Sequence, residues 1–294
     1  MSKTIQEDGT VFRKVTLSKS FAVAATLALC VASAQAVEIP KDIQDSGKLV
    51  LGTSASVGLP WSSTKEGTTD QFIGFDHDLA MAIAAKLGLK LEVANMGFDS
   101  LIPSLQAGRV NIVISGMFDS AAREKKVDFI DHAIGGSAML VKVHGADDIK
   151  SRDDLCGHNV SSLRGSVETT SATEISKNCV AAGKAAVNVQ TFPDTSSQLA
   201  ALSSGRTDAV LGDLEYLGLT AAKLPDQFRL AGEAFNSGPV GIAVPKGSSL
   251  GPAIVAILDE LIKDGTYDKL FKQYQFPEIA RVSKAVLNGA SANK

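Results

Sequence analysis

SLQAGRVNIVIS at residues 104–115 and ALSSGRTDAVLG at residues 201–212 share one register: a helix end, a Gly-Arg exit, an apolar strand, then small polar residues. A helix that leaves through glycine and feeds a buried strand is the repeating step of an α/β domain with a largely parallel sheet. Its occurrence twice predicts two similar lobes, with coincidence as the other explanation because the step is common. In such sheets ligands sit beyond the carboxyl ends of the strands. The places to look are therefore just after Ile114 and just after Leu211.

Outward from these stretches, residues 48–52 (KLVLG) read as a buried strand. Residues 76–87 read as a helix with Leu79, Ile83 and Leu87 on one face, Asp76 capping its start and Gly88 its end. A short strand over 90–93, a short helix over 99–107 and a strand over 110–114 follow. Residues 134–143 predict a long strand opening at Gly135-Gly136, and residues 232–244 a return crossing. Residues 251–275 predict two helices split at Asp264-Gly265-Thr266, with Ile254, Leu258, Leu261 and Ile262 forming one stripe. Two lobes joined by two crossings can hinge around a ligand.

Composition narrows the class. The 294 residues are 45% hydrophobic, enough to bury a core, which excludes disorder. The low Cys count and the length exclude a small disulfide scaffold, and a net charge of −3 gives no attraction for nucleic acid.

Residues 1–36 read as a cleavable export signal. Lys3, Arg13, Lys14 and Lys19 precede the apolar run FAVAATLALCV at 21–31, and Ala34-Gln35-Ala36 offers small residues before the cut. The run is far short of the ~20 residues a bilayer needs, which disfavours the alternative of a membrane anchor. Cys30 follows Leu29 rather than a small residue, which disfavours lipidation. Cleavage near Ala36 removes four Lys/Arg and two Asp/Glu and takes the net charge from −3 to −5. It leaves Cys156 and Cys179, which in an exported protein are expected to pair, the alternative being two free buried thiols. No His stands at a ligand spacing from either, so no metal site is expected, and no cofactor.

The chain lacks a nucleophile elbow, a dinucleotide loop, a P-loop and an HExxH motif. It carries instead a set suited to a zwitterion. After Ile114 come Ser115, Gly116, Met117, Phe118, Asp119, Ser120 and, three residues on, Arg123, whose planar fork suits a carboxylate. After Leu211 comes Asp213 at the matching place on the other lobe. A solvated helix position is the other reading of Arg123, beside Glu124, Lys125 and Lys126. A helix N-cap is the other reading of Asp213, and the two roles are compatible.

At these residues the chain resembles the bacterial periplasmic polar-amino-acid-binding proteins, the receptors of ABC importers (extracellular solute-binding proteins, family 3). The resemblance covers nearly all of residues 38–277. It is carried by GTSASVGLPW (52–61), FIGFDHDLAMAIAAKLG (72–88), FDSLIPSLQAGRVNIVISGMFDSAAREKKVDF (98–129), DLCGHNVSSLRGSVE (154–168), SSGRTDAVLGD (203–213) and KDGTYDKLFKQY (263–274). It implies a two-lobed α/β fold, each lobe a mainly parallel sheet flanked by helices. The discontinuous lobe 1 would comprise 37–135 and 236–294, and lobe 2 would comprise 136–235. It implies that Arg123 holds the ligand carboxylate, with Ser120 where the family has Thr, and that Asp213 holds the α-amino group. The backbone around Ser115 and Met117 would touch the ligand, Phe98 and Trp61 would line the pocket, and Ser166 and Val167 would stand in the second-lobe turn facing the carboxylate. Core packing is the other reading of Phe98 and Trp61.

Three departures mark the side-chain end of the pocket. Val57 or Gly58 stands where the family has an aromatic, Phe118 where it often has Ser, and Val167 where it has Thr. The acid near Ser54 that many receptors for cationic amino acids carry is missing, which points to an uncharged or acidic amino acid or a related small carboxylate. The expected protein is a monomeric, non-enzymatic periplasmic receptor that hands its ligand to an inner-membrane ABC permease. The rivals are a periplasmic prephenate or arogenate dehydratase on the same fold, with Glu168 or Asp119 as general acid, and a soluble protein presenting its ligand to a sensor.

Overall fold

The computed structural model describes residues 38–292; the expected export signal, the expected cut at Ala36 and Cys30 lie outside the described residues. The chain starts with a short helix α1 (Lys41–Ser46) and the strand β1 (Lys48–Thr53), whose Leu49 and Leu51 are fully buried. A small hairpin, β2 (Ser63–Thr64) and β3 (Phe72–Ile73), leads into α2 (Phe75–Leu87). The apolar positions Leu79 and Ile83 are fully buried, and Gly88 closes the helix in the left-handed conformation at φ +68°, as the sequence predicts. The start differs from the expectation. Gly74 holds the N-cap position and no side chain caps it, while Asp76 turns its carboxylate into the lobe.

The chain continues through β4 (Lys90–Asn95), α3 (Leu101–Gln106), β5 (Ile112–Val113) and a one-turn helix α4 (Ala121–Glu124). β1 runs parallel to β4 from Lys48↔Lys90 to Thr53↔Asn95, and parallel to β5 at Leu51↔Ile112. Then comes β6 (Val127–Lys142), longer than expected. Its 16 residues reach roughly 50 Å, enough to run from one lobe into the other.

The second lobe holds β7 (Asn159–Leu163), α5 (Val167–Ala181), β8 (Asn188–Phe192), α6 (Thr195–Ser203), β9 (Ala209–Asp213), α7 (Leu214–Lys223) and β10 (Phe228–Leu230). The return crossing is β11 (Phe235–Pro245), followed by α8 (Leu250–Lys263) and α9 (Thr266–Gln273), with Gly265 at φ +82° between them. In α8 the buried stripe includes Ile254, Ile257, Leu258 and Leu261, while Ile262 is only partly buried. β12 (Val286–Leu287) and a final turn α10 (Gly289–Ala292) end the described chain.

The strand order is β4-β1-β5-β11-β6-β9-β7-β8. The first half of β6 pairs antiparallel with β11 (Val127↔Pro245 to Ala133↔Val240), and its second half pairs with β9 (Ser137↔Asp213 to Val141↔Ala209). Between them lie Gly135 and Gly136. A Cβ on Gly135 would fall 2.7 Å from Val240 Cγ2, so glycine lets the two crossing strands touch. Past this point the period-two alternation of a strand feeds two separate cores: Met139 and Val141 join one cluster with Leu211, and Ala138 and Leu140 join another with Val210 and Leu217. The much larger lobe 1 core is aliphatic with a knot of aromatics, Trp61, Phe75, Tyr267, Phe271 and Phe276. Cys156 and Cys179 are bonded and staple the start of lobe 2 to α5.

The segment after residue 277 has no counterpart in the sequence reading. Val286 and Leu287 pair with β6, and Asn288 bonds Asp128 and the Phe129 amide. The amides of Ala290 and Ser291 donate to Asp119 and Glu124. Among the described residues no helix is long and apolar enough to cross a membrane.

Candidate ligand-binding cleft

The carboxyl end of β5 opens into residues 115–120, whose backbone is tied to its neighbours. Ser115, fully buried, accepts the Ser54 amide on its hydroxyl at 3.0 Å. The Gly116 amide donates to Asp76 Oδ2 at 2.6 Å. The Met117 carbonyl accepts from the Gly241 amide at 3.0 Å, and the Asp119 amide donates to the Pro239 carbonyl at 2.8 Å. The loop is thus welded to the return crossing. Gly116 sits at φ +51°, and a Cβ there would meet the Trp61 ring at 2.9 Å.

This arrangement corrects part of the expectation. Trp61 is fully buried behind Gly116, among Phe75, Phe276 and His132, so it braces the loop rather than lining the cavity. Gly116, between Ser115 and Met117, and Phe118 line the cavity between the lobes. Ser120 caps α4, accepting the Arg123 amide at 3.4 Å, and so sets the direction of Arg123. Asp76 is buried and its pKa is pushed up to about 8 by desolvation, against the lowering bond from Gly116. Its neighbour His132, 3.8 Å away, is pulled down to about 3 by the same burial.

Arg123 spans the cleft. Nη1 donates to the Phe118 carbonyl at 2.7 Å and Nη2 to the Gly165 carbonyl of lobe 2 at 3.1 Å. Its guanidinium lies 5.7 Å from the centroid of the Phe98 ring, which is 7% exposed and lines the cavity as expected. Desolvation lowers Arg123 to about 10, opposed by the charges of Glu168 and Asp119.

The opposite wall comes from the ends of β7 and β9. Ser166 caps α5, accepting the Thr169 amide at 3.4 Å, and Ser166, Val167 and Glu168 line the cavity. Asp213 caps α7, its Oδ1 accepting the Tyr216 amide at 2.8 Å, while its buried Oδ2 has no donor and its carboxyl lies beside that of Glu215. Both readings of Asp213 are therefore compatible. Desolvation, then the neighbouring Glu215 carboxylate, pushes Asp213 well above the ordinary carboxylate range. Other lobe contacts are Thr195 Oγ1 donating to the Ser56 carbonyl at 2.8 Å, and Tyr216 against Gly58. A Cβ on Gly58 would fall 2.4 Å from the Tyr216 ring. The space of the aromatic missing near Val57 is filled by this ring from the other lobe.

The cavity so enclosed is small, about 30 Å³. Sequence reasoning missed Tyr216, Thr195 and Gln198 as lining residues, and treated Glu168 only as a rival acid. A polar residue in the first turn of a helix reads as a cap or dipole partner, so its direction was hidden. Asp119 faces Ala290, away from the cavity. No group of His, Cys, Asp and Glu able to hold a metal occurs among the described residues.

Residues 49–278 match the family described as bacterial extracellular solute-binding proteins, family 3. The arginine-binding protein ArgT of Corynebacterium glutamicum is 28% identical over 87% of this chain and 83% of its own. An ancestral arginine-binding protein solved with arginine is 40% identical over 79% of this chain and 99% of its own, with a TM-score of 0.70. The ancestral amino acid-binding protein AncCDT-1, a precursor of cyclohexadienyl dehydratase, is 34% identical over 80% of this chain and 98% of its own, with a TM-score of 0.71.

Proposed function

Because the chain belongs to family 3 of the bacterial extracellular solute-binding proteins, we propose that it captures an amino acid between its lobes and delivers it to an ABC-type permease. The observation that carries this reading is the facing of a guanidinium and an unmet acid across one cleft: Arg123 from lobe 1, Asp213 Oδ2 from lobe 2. An α-amino acid has the complementary pair of groups. Its carboxylate takes the Arg123 edge that otherwise bonds Gly165, beside the first turn of α5, whose N-terminal dipole favours an anion. Its ammonium takes Asp213 Oδ2. A buried charge is costly unless paired, so each head group finds its partner only as the lobes close. The lobes move about the crossings near Gly135–Gly136 and residues 235–238, where the β6–β11 register is irregular.

The working form is a periplasmic monomer beginning after Ala36, and it binds without turnover. The neighbouring dehydratase precursor makes an enzyme the alternative to test. Of the two acids such a reaction could use, Glu168 faces the cavity and Asp119 does not. The deciding experiment is a thermal-shift screen of the mature protein against the amino acids, with prephenate turnover measured alongside. A ligand at 100 times its Kd adds about 2.7 kcal/mol of stability. Binding of an amino acid without prephenate turnover supports the receptor; turnover with no amino-acid shift overturns it.

A further inference from the structure

We propose that Glu168 makes this cleft selective for amino acids with a positively charged side chain. The inference rests on the amino-acid reading above and deepens it.

Glu168 is 4% exposed and lines the cavity, yet its one hydrogen bond is from a neutral group: Ser137 Oγ donates to Oε1 at 2.6 Å. That hydroxyl accepts in turn from Asn236 Nδ2 at 3.3 Å, so both crossing strands hold Glu168 in place. No cation lies within 4.0 Å of Glu168 among the described residues, Arg123 included, although its charge acts on both Arg123 and Asp213. A buried acid held only by a hydroxyl has no cationic partner.

The charge balance of the closed cleft follows. Two acids line the cavity, Glu168 and Asp213, against one cation, Arg123. Burial raises Asp213 and Glu215, which lie beside each other. Beyond the Arg123–Asp213 pair that meets a zwitterion, the cleft keeps one acid in excess. A zwitterion with a neutral side chain meets Arg123 and Asp213 and changes nothing at Glu168. An acidic side chain adds a second anion beside it. A basic side chain cancels the excess. The apolar part of the wall, Val57, Leu163 and Leu217, suits the methylene stem of such a side chain. The missing acid near Ser54 is thereby replaced from the other lobe, which reverses the preference read from the sequence.

The test is calorimetry of the mature protein with L-arginine, L-lysine, L-glutamine and L-glutamate, repeated on Glu168→Gln, which keeps an acceptor for Ser137. Arginine or lysine is expected to bind at least tenfold more tightly than glutamine, with glutamate weakest. Glu168→Gln is expected to weaken the basic ligand at least tenfold and glutamine less than threefold. Glutamine or glutamate binding more tightly than both basic amino acids overturns the proposal and leaves the amino-acid reading standing. So does a basic preference that Glu168→Gln does not change. Binding of none of the four overturns the amino-acid reading, and this inference with it.

Discussion

The two walls of the cleft are built to different degrees of completion. On lobe 1 the backbone of the loop at 115–120 is bonded by the protein: Ser54, Asp76, Gly241 and Pro239 hold it, and Trp61 fills the space behind, while Asp76 Oδ1 and Asp119 Oδ1 are buried without a donor away from the cavity. On lobe 2 the acids that line the cavity are the open groups: Asp213 Oδ2 is buried without a donor, and Glu168 holds only a hydroxyl. The backbone of one wall is already bonded, and the cavity-facing acids of the other lack a cation. The difference teaches where binding energy comes from. Lobe 1 contributes preorganisation, which lowers the cost of ordering on binding. Lobe 2 contributes charges that are unfavourable until the ligand supplies their partner, which makes closure depend on the ligand.

Each variant below strains that contrast. Arg123→Ala removes the one cation of the cleft and leaves the bound carboxylate unpaired. A loss of about 3–5 kcal/mol, a hundredfold or more in Kd, is expected in calorimetry. Reduction of Cys156–Cys179 is expected to cost roughly 3 kcal/mol of stability in the loop-entropy model. The bridge lies in the lobe 2 core, away from the cleft, so Kd is expected to stay within threefold; a large change in Kd would tie the stapled core to the open wall. Asp213→Asn keeps a capping oxygen for the Tyr216 amide and removes the buried acid that lacks a donor. It is expected to weaken ligand binding by about 1.5–3 kcal/mol while raising the melting temperature of the free protein. A free protein that melts lower would mean that Asp213 is already satisfied.

The pH response sharpens the same contrast. Burial pushes Asp76 and Asp119 up to about 8 and Asp131 to about 7, and also raises Asp213 and Glu215. Between pH 6.5 and 8 Asp76, Asp119 and Asp131 hold protons in the folded state that the unfolded chain has already released, so stability falls as pH rises. His132, pulled down to about 3, loses stability only below its unfolded value near 6.5 and does not act in this window. The melting temperature is expected to drop from pH 6.5 to 8, and Asp76→Asn to flatten the drop. The smallest effect is expected from Trp61→Phe, which leaves the cavity wall intact: a few degrees in melting temperature, with Kd unchanged within threefold.

Much of this was legible in the sequence, for physical reasons that can be named. The Gly-Arg exits before β5 and β9 located both strand ends, and the strand-end rule then selected Arg123 and Asp213. The glycine pair at 135–136 reads in the sequence as the start of a strand, whereas it lies inside β6, where Gly135 lets Val240 of the return crossing approach. What escaped was decided by packing across long separations. Asp76 has the position of a helix cap, and only the fold shows Gly116 beside it. Tyr216 fills the space at Gly58 from 158 positions away in the other lobe, and no local pattern reports that. The segment 286–292 has too little periodicity to reveal that it lies along β6 and over Asp119 and Glu124.

The measurement that most directly tests capture between a bonded wall and one whose acids lack a cation is hydrogen exchange with and without a bound amino acid. The amides of Gly116 and Asp119 are expected to be protected in both states, while those of Val167, Glu168 and Leu214, in the first turns of α5 and α7, gain protection only with ligand. Free exchange at Gly116 and Asp119 without ligand, with protection appearing there on binding, would contradict the account.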